Sequence, residues 1–280
     1  QLDQVESLYL VHGEEEIRVT RTEDGWAMQD EPTYPLDSAK VDDWLVDLLT
    51  ATDNGVVDET PGELAEFGLD TPTAELGITL ADGSEQTIQV GIELPVRGNH
   101  YLLKSGDPKL YRIENETKTN LFKDKFHFTD KNVLSLDITT VHSIEYTLGE
   151  DQWKLERQGD ANASFNAPWK INEYDREYTD ISSIIGQTMY MSTEQVPVSV
   201  SDMTMDGVHL QIVVEEYVDE ELVEHVLVGE VKDEENVLIW EMGSYWGYMI
   251  KIEELERLFI AGLEAIEAAS AEAEQTKSEE

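Results

Sequence analysis

The residues best suited to binding chemistry stand together in Ile239 to Lys251, IWEMGSYWGYMIK. Trp240, Tyr245, Trp246 and Tyr248 fall within nine positions, in a chain that has six Trp and eleven Tyr altogether. Large rings with one polar end can stack on a sugar or dock on a partner protein, and they can equally be the core of a hairpin. Catalytic groups are harder to find. His12, His100, His127, His142, His209 and His225 make no H-E-x-x-H or other ligand spacing, so each reads as structural or surface. No G-x-S-x-G elbow, Walker loop or G-x-G-x-x-G is present. Paired carboxylates say nothing, because 61 Asp and Glu put some pair near every point. The stretch Glu215 to Glu235 carries ten acids. Neither VDEE within it nor SDMTMDG (Ser201 to Gly207) has the turned, Gly-centred spacing of a Ca²⁺ loop, so no metal site is expected. The expectation is a protein that is not an enzyme and carries no cofactor.

The charge balance limits the partners. Against those 61 acids stand 19 Lys and Arg, a formal −42 in 280 residues. Nucleic-acid phosphate and anionic lipid both need a basic patch, so neither is expected to bind. The acidity fits halophilic adaptation or solubility in a crowded extracellular setting, and twelve Lys against seven Arg favour the second. Absence of cysteine excludes disulfides and thiolate chemistry. No apolar run approaches the roughly 18 to 20 residues that span a bilayer. The chain begins at Gln1 without Met or a signal peptide, so an anchor or leader is expected to have preceded it.

The elements that would position the aromatic stretch are written twice. VESLYLVHGEEEIRVTR (Val5 to Arg21) reads against VHSIEYTLGEDQWKLER (Val141 to Arg157), each an alternating run, a Gly-acid turn and a second run, hence a β-hairpin. A helix follows in both. One has Val41, Trp44, Leu45, Leu48 and Leu49 on a stripe behind Asp37 or Ser38 as N-cap; the other has Ile181, Ile184, Ile185, Thr188 and Met189 behind Asp180. IQVG (Ile88 to Gly91) then realigns with VLVG (Val226 to Gly229), and YRIENETKTNLF (Tyr111 to Phe122) with YMIKIEELERLF (Tyr248 to Phe259). The first copy inserts Glu59 to Pro72, read as a short helix with a Thr60–Glu63 capping box, Pro61 at its first position and Gly68 as a left-handed stop. The second lengthens the following hairpin instead. A last helix from about Ile252 would bury Leu255, Leu258, Phe259, Leu263 and Ile266, then decay into an acidic, disordered tail.

The expected fold is α+β: two tandem repeats, each an antiparallel sheet with helices packed on one face. Its domains would be 1–137 and 138–268, with 269–280 as tail. Aligning Tyr248 with Tyr111 puts Trp240 on Leu103, so Trp240 and Tyr248 belong to the core. Tyr245 and Trp246 fall on Pro108 and Lys109, at a turn that is polar in the first copy. Those two rings are the candidate binding residues.

VESLYLVHGEEEIRVTRTEDGWAM, the helix after YPLDSAKVDDWL, and LAEFGLDTP followed by ITLADG resemble the bacterial domain-of-unknown-function family numbered 4340. The resemblance implies the extracytoplasmic part of a membrane-anchored protein that accompanies an ABC transporter with a gliding-motility-type auxiliary component. Its partners would be membrane proteins such as transporter subunits, with membrane contact only through the missing N-terminal anchor. It transfers no catalytic residue. The function expected is a non-catalytic interaction module, and the alternative is a carbohydrate-binding or carbohydrate-active protein that uses the aromatic turn.

Overall fold

Alternation of apolar and polar residues builds two antiparallel sheets, one in each of the units 1–130 and 131–280. The computed structural model describes residues 2–160, 162–164, 166–204 and 207–279. Met205 and Asp206 of the SDMTMDG segment, and Glu280 of the tail, lie outside the described residues.

Unit 1 opens with β1 (Val5–His12), β2 (Glu15–Thr22) and β3 (Gly25–Met28), then α1 (Ser38–Thr50) and β4 (Val56–Asp58). After a 3-10 turn at Leu64–Phe67 come β5 (Ala74–Leu80), β6 (Glu85–Glu93), β7 (Asn99–Lys104), β8 (Leu110–Glu114) and α2 (Asn115–Leu121). The sheet runs β3-β2-β1-β5-β6-β7-β8-β4. Asp37 caps α1 by accepting from the amides of Ala39 and Lys40. Val41, Trp44 and Leu45 are its buried face, and Trp44 Nε1 donates to the Leu121 carbonyl at 2.8 Å. Full burial of a side chain this size contributes about 1.5–3 kcal/mol, and the hydrogen bond removes the cost of burying its N–H. The expected stripe stops a turn early: Leu48 is half-buried and Leu49 is 54% exposed.

Unit 2 contains β9 (Val141–Leu148), β10 (Asp151–Arg157), β11 (Trp169–Ile171), β12 (Tyr174–Arg176) and α3 (Tyr178–Met189). There follow β13 (Val198–Ser199), β14 (Val208–Val218), β15 (Glu221–Val231), β16 (Asn236–Glu241), β17 (Trp246–Lys251) and α4 (Ile252–Glu279). Its sheet runs β12-β11-β10-β9-β14-β15-β16-β17-β13. One apolar cluster joins Ile144, Tyr146 and Trp153 of the sheet to Ile185 of α3 and Leu258 of α4. A second cluster holds Val200, Val228, Leu238 and Trp240. With two large antiparallel sheets and four α-helices among the described residues, the architecture is α+β.

Several local expectations need correction. The units divide after Asp130, ahead of the boundary expected at 137, because Val133 and Leu134 are buried in the second core and the Val133 amide donates to the Met191 carbonyl. No capping box forms at Thr60 and Glu63; the Thr60 amide donates to Asp58 instead, and one 3-10 turn starts only at Leu64. Gly68 does end that turn, at φ 65°. In α3 the buried set is as expected, but the N-cap is Glu177 without a side-chain bond, and Asp180 lies in the first turn. In α4 Leu263 is exposed and Gly262 is buried in its place. The Ala/Glu segment expected to be disordered continues this helix, since both residues are strong helix formers. Ala269 is buried and Arg176 pairs with Glu272 at 2.6 Å, which ties the segment down.

Candidate functional site

The aromatic stretch is the β16–β17 hairpin. Ile239 pairs with Tyr248 and Trp240 with Gly247, and side chains alternate between the faces of a strand. Tyr248 therefore joins the main core with Ile239, while Trp240 joins the smaller cluster on the opposite face. Both are core residues, 8% and 6% exposed. Gly243, at φ 92°, makes the turn, and the Ser244 amide closes it by donating to the Glu241 carbonyl at 3.0 Å.

Tyr245 and Trp246 part company at this turn. Tyr245 is 58% exposed, and its carbonyl accepts from the Val200 amide at 2.9 Å. That pairing puts Tyr245 on the face of Val200 and Trp240, where Met242 and Val198, 53% and 40% exposed, extend the apolar surface. Trp246 opens β17 opposite Ser199 and is half-buried, on the Tyr248 face. Ser244 Oγ ties it locally, accepting from its amide at 3.1 Å and donating to its carbonyl at 3.0 Å. The candidate pair is thus adjacent in sequence and divided between two faces. Tyr245, Met242 and Val198 form one exposed apolar corner, and Val198 and Met242 had no signal beyond ordinary apolarity.

A polar row lies on the other face, in the continuation of the register that brings Trp246 beside Glu241. His225 of β15 stands opposite Val214. Its Nδ1 lies 2.8 Å from Glu241 Oε1 and its Nε2 3.2 Å from Glu216 Oε1. Glu216 is buried, and its other oxygen accepts from Thr140 Oγ1. With one ring nitrogen facing Glu241 and the other facing Glu216, His225 ties three strands together. The sequence did carry a signal for it: Leu210, Ile212, Val214 and Glu216 are the inward positions of β14, so an acid interrupts an apolar series.

The remaining histidines are dispersed. His12 and His127 lie against Phe122 and Phe128, and His100 Nε2 is 2.7 Å from Asn115 Oδ1. His142 lies against Tyr217, where burial lowers its pKa, while His209 is exposed. On the acidic hairpin, the Ser143 hydroxyl bonded to Glu215 holds that carboxyl below its ordinary range despite partial burial, with Lys154 adding to the effect. Among the described residues no group of three His, Asp or Glu is placed to share a metal ion.

The family described as Domain of unknown function (DUF4340) matches residues 26–193, more than half of the chain. No curated protein and no solved structure matches it.

Proposed function

The chain belongs to the family described as domain of unknown function DUF4340, and from that premise we propose that it is a non-catalytic interaction module. Its setting would be extracytoplasmic, in a membrane-anchored protein that is accessory to an ABC-type transport system. The observation that carries this reading is the apolar corner of Tyr245, Met242 and Val198. Exposed aromatic and Met side chains at the rim of a packed cluster are what protein interfaces enrich. The strongly acidic remainder keeps such a surface soluble and favours neutral or basic partners. A glycan platform has less support, because Tyr245 and Trp246 do not share a face.

The two units read as tandem copies of one plan, with helices on one face of each sheet. In support, β2-β1-β5-β6-β7-β8-β4 and β10-β9-β14-β15-β16-β17-β13 follow the same order, each ended by the strand that comes after its unit's first α-helix. On that alignment the exposed corner belongs to the second copy alone.

The test is crosslinking in the native cell, with partners identified from membranes for the parent and for Tyr245→Ala with Met242→Ala. Transporter subunits recovered with the parent and lost with the variant support the reading. An abundant, intact bait that recovers the same proteins with both chains would refute a role for this corner.

A further inference from the structure

Unit 1 carries a second, independent surface. Where the C-terminal turn of α1 overhangs β5, β6 and the β7–β8 turn, a groove of about 530 Å³ opens to solvent. Its floor is aliphatic: Leu48 and Leu49 of α1, Leu76 and Ile78 of β5, and Ile88 of β6. Leu49 is 54% exposed there, and Val46, one turn earlier on α1, is 44% exposed. A volume within the roughly 300–1,000 Å³ of ligand-sized clefts has room for one or two large side chains.

The rim decides what could lie on this floor. Glu85 and Asp107 line it as carboxylates. The Tyr111 hydroxyl, donating to Asp107 at 2.6 Å, holds that carboxyl below its usual range, so it stays charged. Lys104 is the cation among the lining residues, and it is already engaged: its Nζ donates to Asp53 at 2.6 Å and sits 4.3 Å from the Tyr111 ring centroid. The helix end over the groove adds negative charge of its own. The C-terminus of a helix carries about half an elementary negative charge, and α1 has no basic residue in its last turn. The aliphatic floor is therefore ringed by negative charge with no unpaired cation supplied by the lining residues.

We infer that this groove takes a basic, amphipathic segment of a partner protein, which seats an aliphatic or aromatic side chain on Leu49 and Ile88 and sets Lys or Arg against Glu85, Asp107 and the end of α1. A second copy of this chain, at −42, is the wrong charge for the rim. The inference does not depend on the Tyr245 corner, and the two can fail separately.

The test uses the intact chain and two labelled synthetic peptides, an amphipathic Lys/Leu peptide and its Glu/Leu counterpart. Binding is read by fluorescence anisotropy and mapped by amide chemical shifts. Expected are binding of the Lys/Leu peptide alone and shifts centred on Leu49, Ile88 and Lys104. Leu49→Asp should weaken it by about tenfold or more, the cost of losing one buried anchor. Tyr245→Ala should leave it unchanged. Leu49→Asp adds a negative charge at an exposed site, so equal or tighter binding to this variant would show plain electrostatic adsorption and overturn the inference. Absence of binding, scattered shifts, equal binding of the Glu/Leu peptide, or a concentration-dependent dimer that protects the groove would overturn it as well.

Discussion

Changing Gly262 to Ala reverses the rule that alanine stabilises helices. In an open helix interior the exchange gains about 0.8–1 kcal/mol. In α4 a Cβ at position 262 would stand 2.2 to 2.6 Å from three atoms of the Trp153 indole. That ring cannot retreat: it is 1% exposed, stacks on Tyr146 at 4.7 Å, and donates through Nε1 to the Phe259 carbonyl at 3.1 Å. Overpacking of this kind costs about 1–3 kcal/mol, and so close an approach belongs to the upper half of that range. The net expectation for Gly262→Ala is a loss of about 1–2 kcal/mol, or roughly 3–6 °C in midpoint for a unit of this size. Gly186→Ala in α3 is the internal control. A Cβ there meets nothing within 4 Å, so the helix gain survives and stability rises by about 0.5–1 kcal/mol. Urea unfolding followed by far-UV circular dichroism and tryptophan fluorescence compares both with the parent. A Gly262→Ala midpoint at or above the parental one would refute the claim that Trp153 is held in place.

Three further outcomes are expected. Asp37→Ala removes the cap of α1 and should cost about 1 kcal/mol in the same assay, with Asp37→Asn recovering most of it. Glu215 has a folded pKa below its unfolded one, so its stabilisation is present above the ordinary carboxylate range and lost as pH falls through the depressed value. Ser143→Ala should therefore cost stability at neutral pH and shrink the acid-side loss, so that the two chains converge below the depressed pKa. For Tyr9, burial first and then its hydrogen bond to Glu75 push the pKa up to about 12. Its stabilisation holds below the ordinary phenol pKa and is lost as pH rises toward 12; Tyr34, Tyr111 and Tyr146 are raised as well, so ultraviolet titration of Tyr9→Phe should show one late tyrosine fewer than the parent.

Much of the fold was legible because it rests on local periodicity. The Val5 and Val141 hairpins, the burial of Val41, Trp44 and Ile181, and the start of α4 at Ile252 all follow from spacings of two or about 3.6. What was missed depends on contacts distant in sequence. Leu49 fits the stripe of α1, yet at the helix end no element covers it. Gly262 replaces Leu263 in the core because Trp153, more than a hundred residues earlier, needs the space. Asp58 captured the Thr60 amide before a capping box could form, a competition between neighbouring acids that composition alone does not rank. At the candidate site, the density of rings was visible, but their division between faces required the register of Val200 against Tyr245. The Glu216–His225–Glu241 row spans three strands, so the spacing of β14 marks the acid at Glu216 but not its partners.

The position of β1 and β9 in their sheets has a consequence for biosynthesis. Each is paired on one side with the hairpin strand that follows at once, and on the other with a strand made much later, β5 or β14. Between Met28, where the first hairpin array ends, and Ala74, where β5 begins, the ribosome adds about forty-five residues. At roughly 5–20 residues per second, β1 waits some two to nine seconds with one edge unsatisfied. That edge carries Leu8 and Leu10, which end fully buried, and an open apolar edge is a template for pairing with another chain. Unit 2 repeats the exposure over the shorter interval from Arg176 to Val208. A nascent chain of this design is most vulnerable to aggregation halfway through each sheet, and a holdase that covers strand edges would raise its yield more than any gain in the stability of the finished fold.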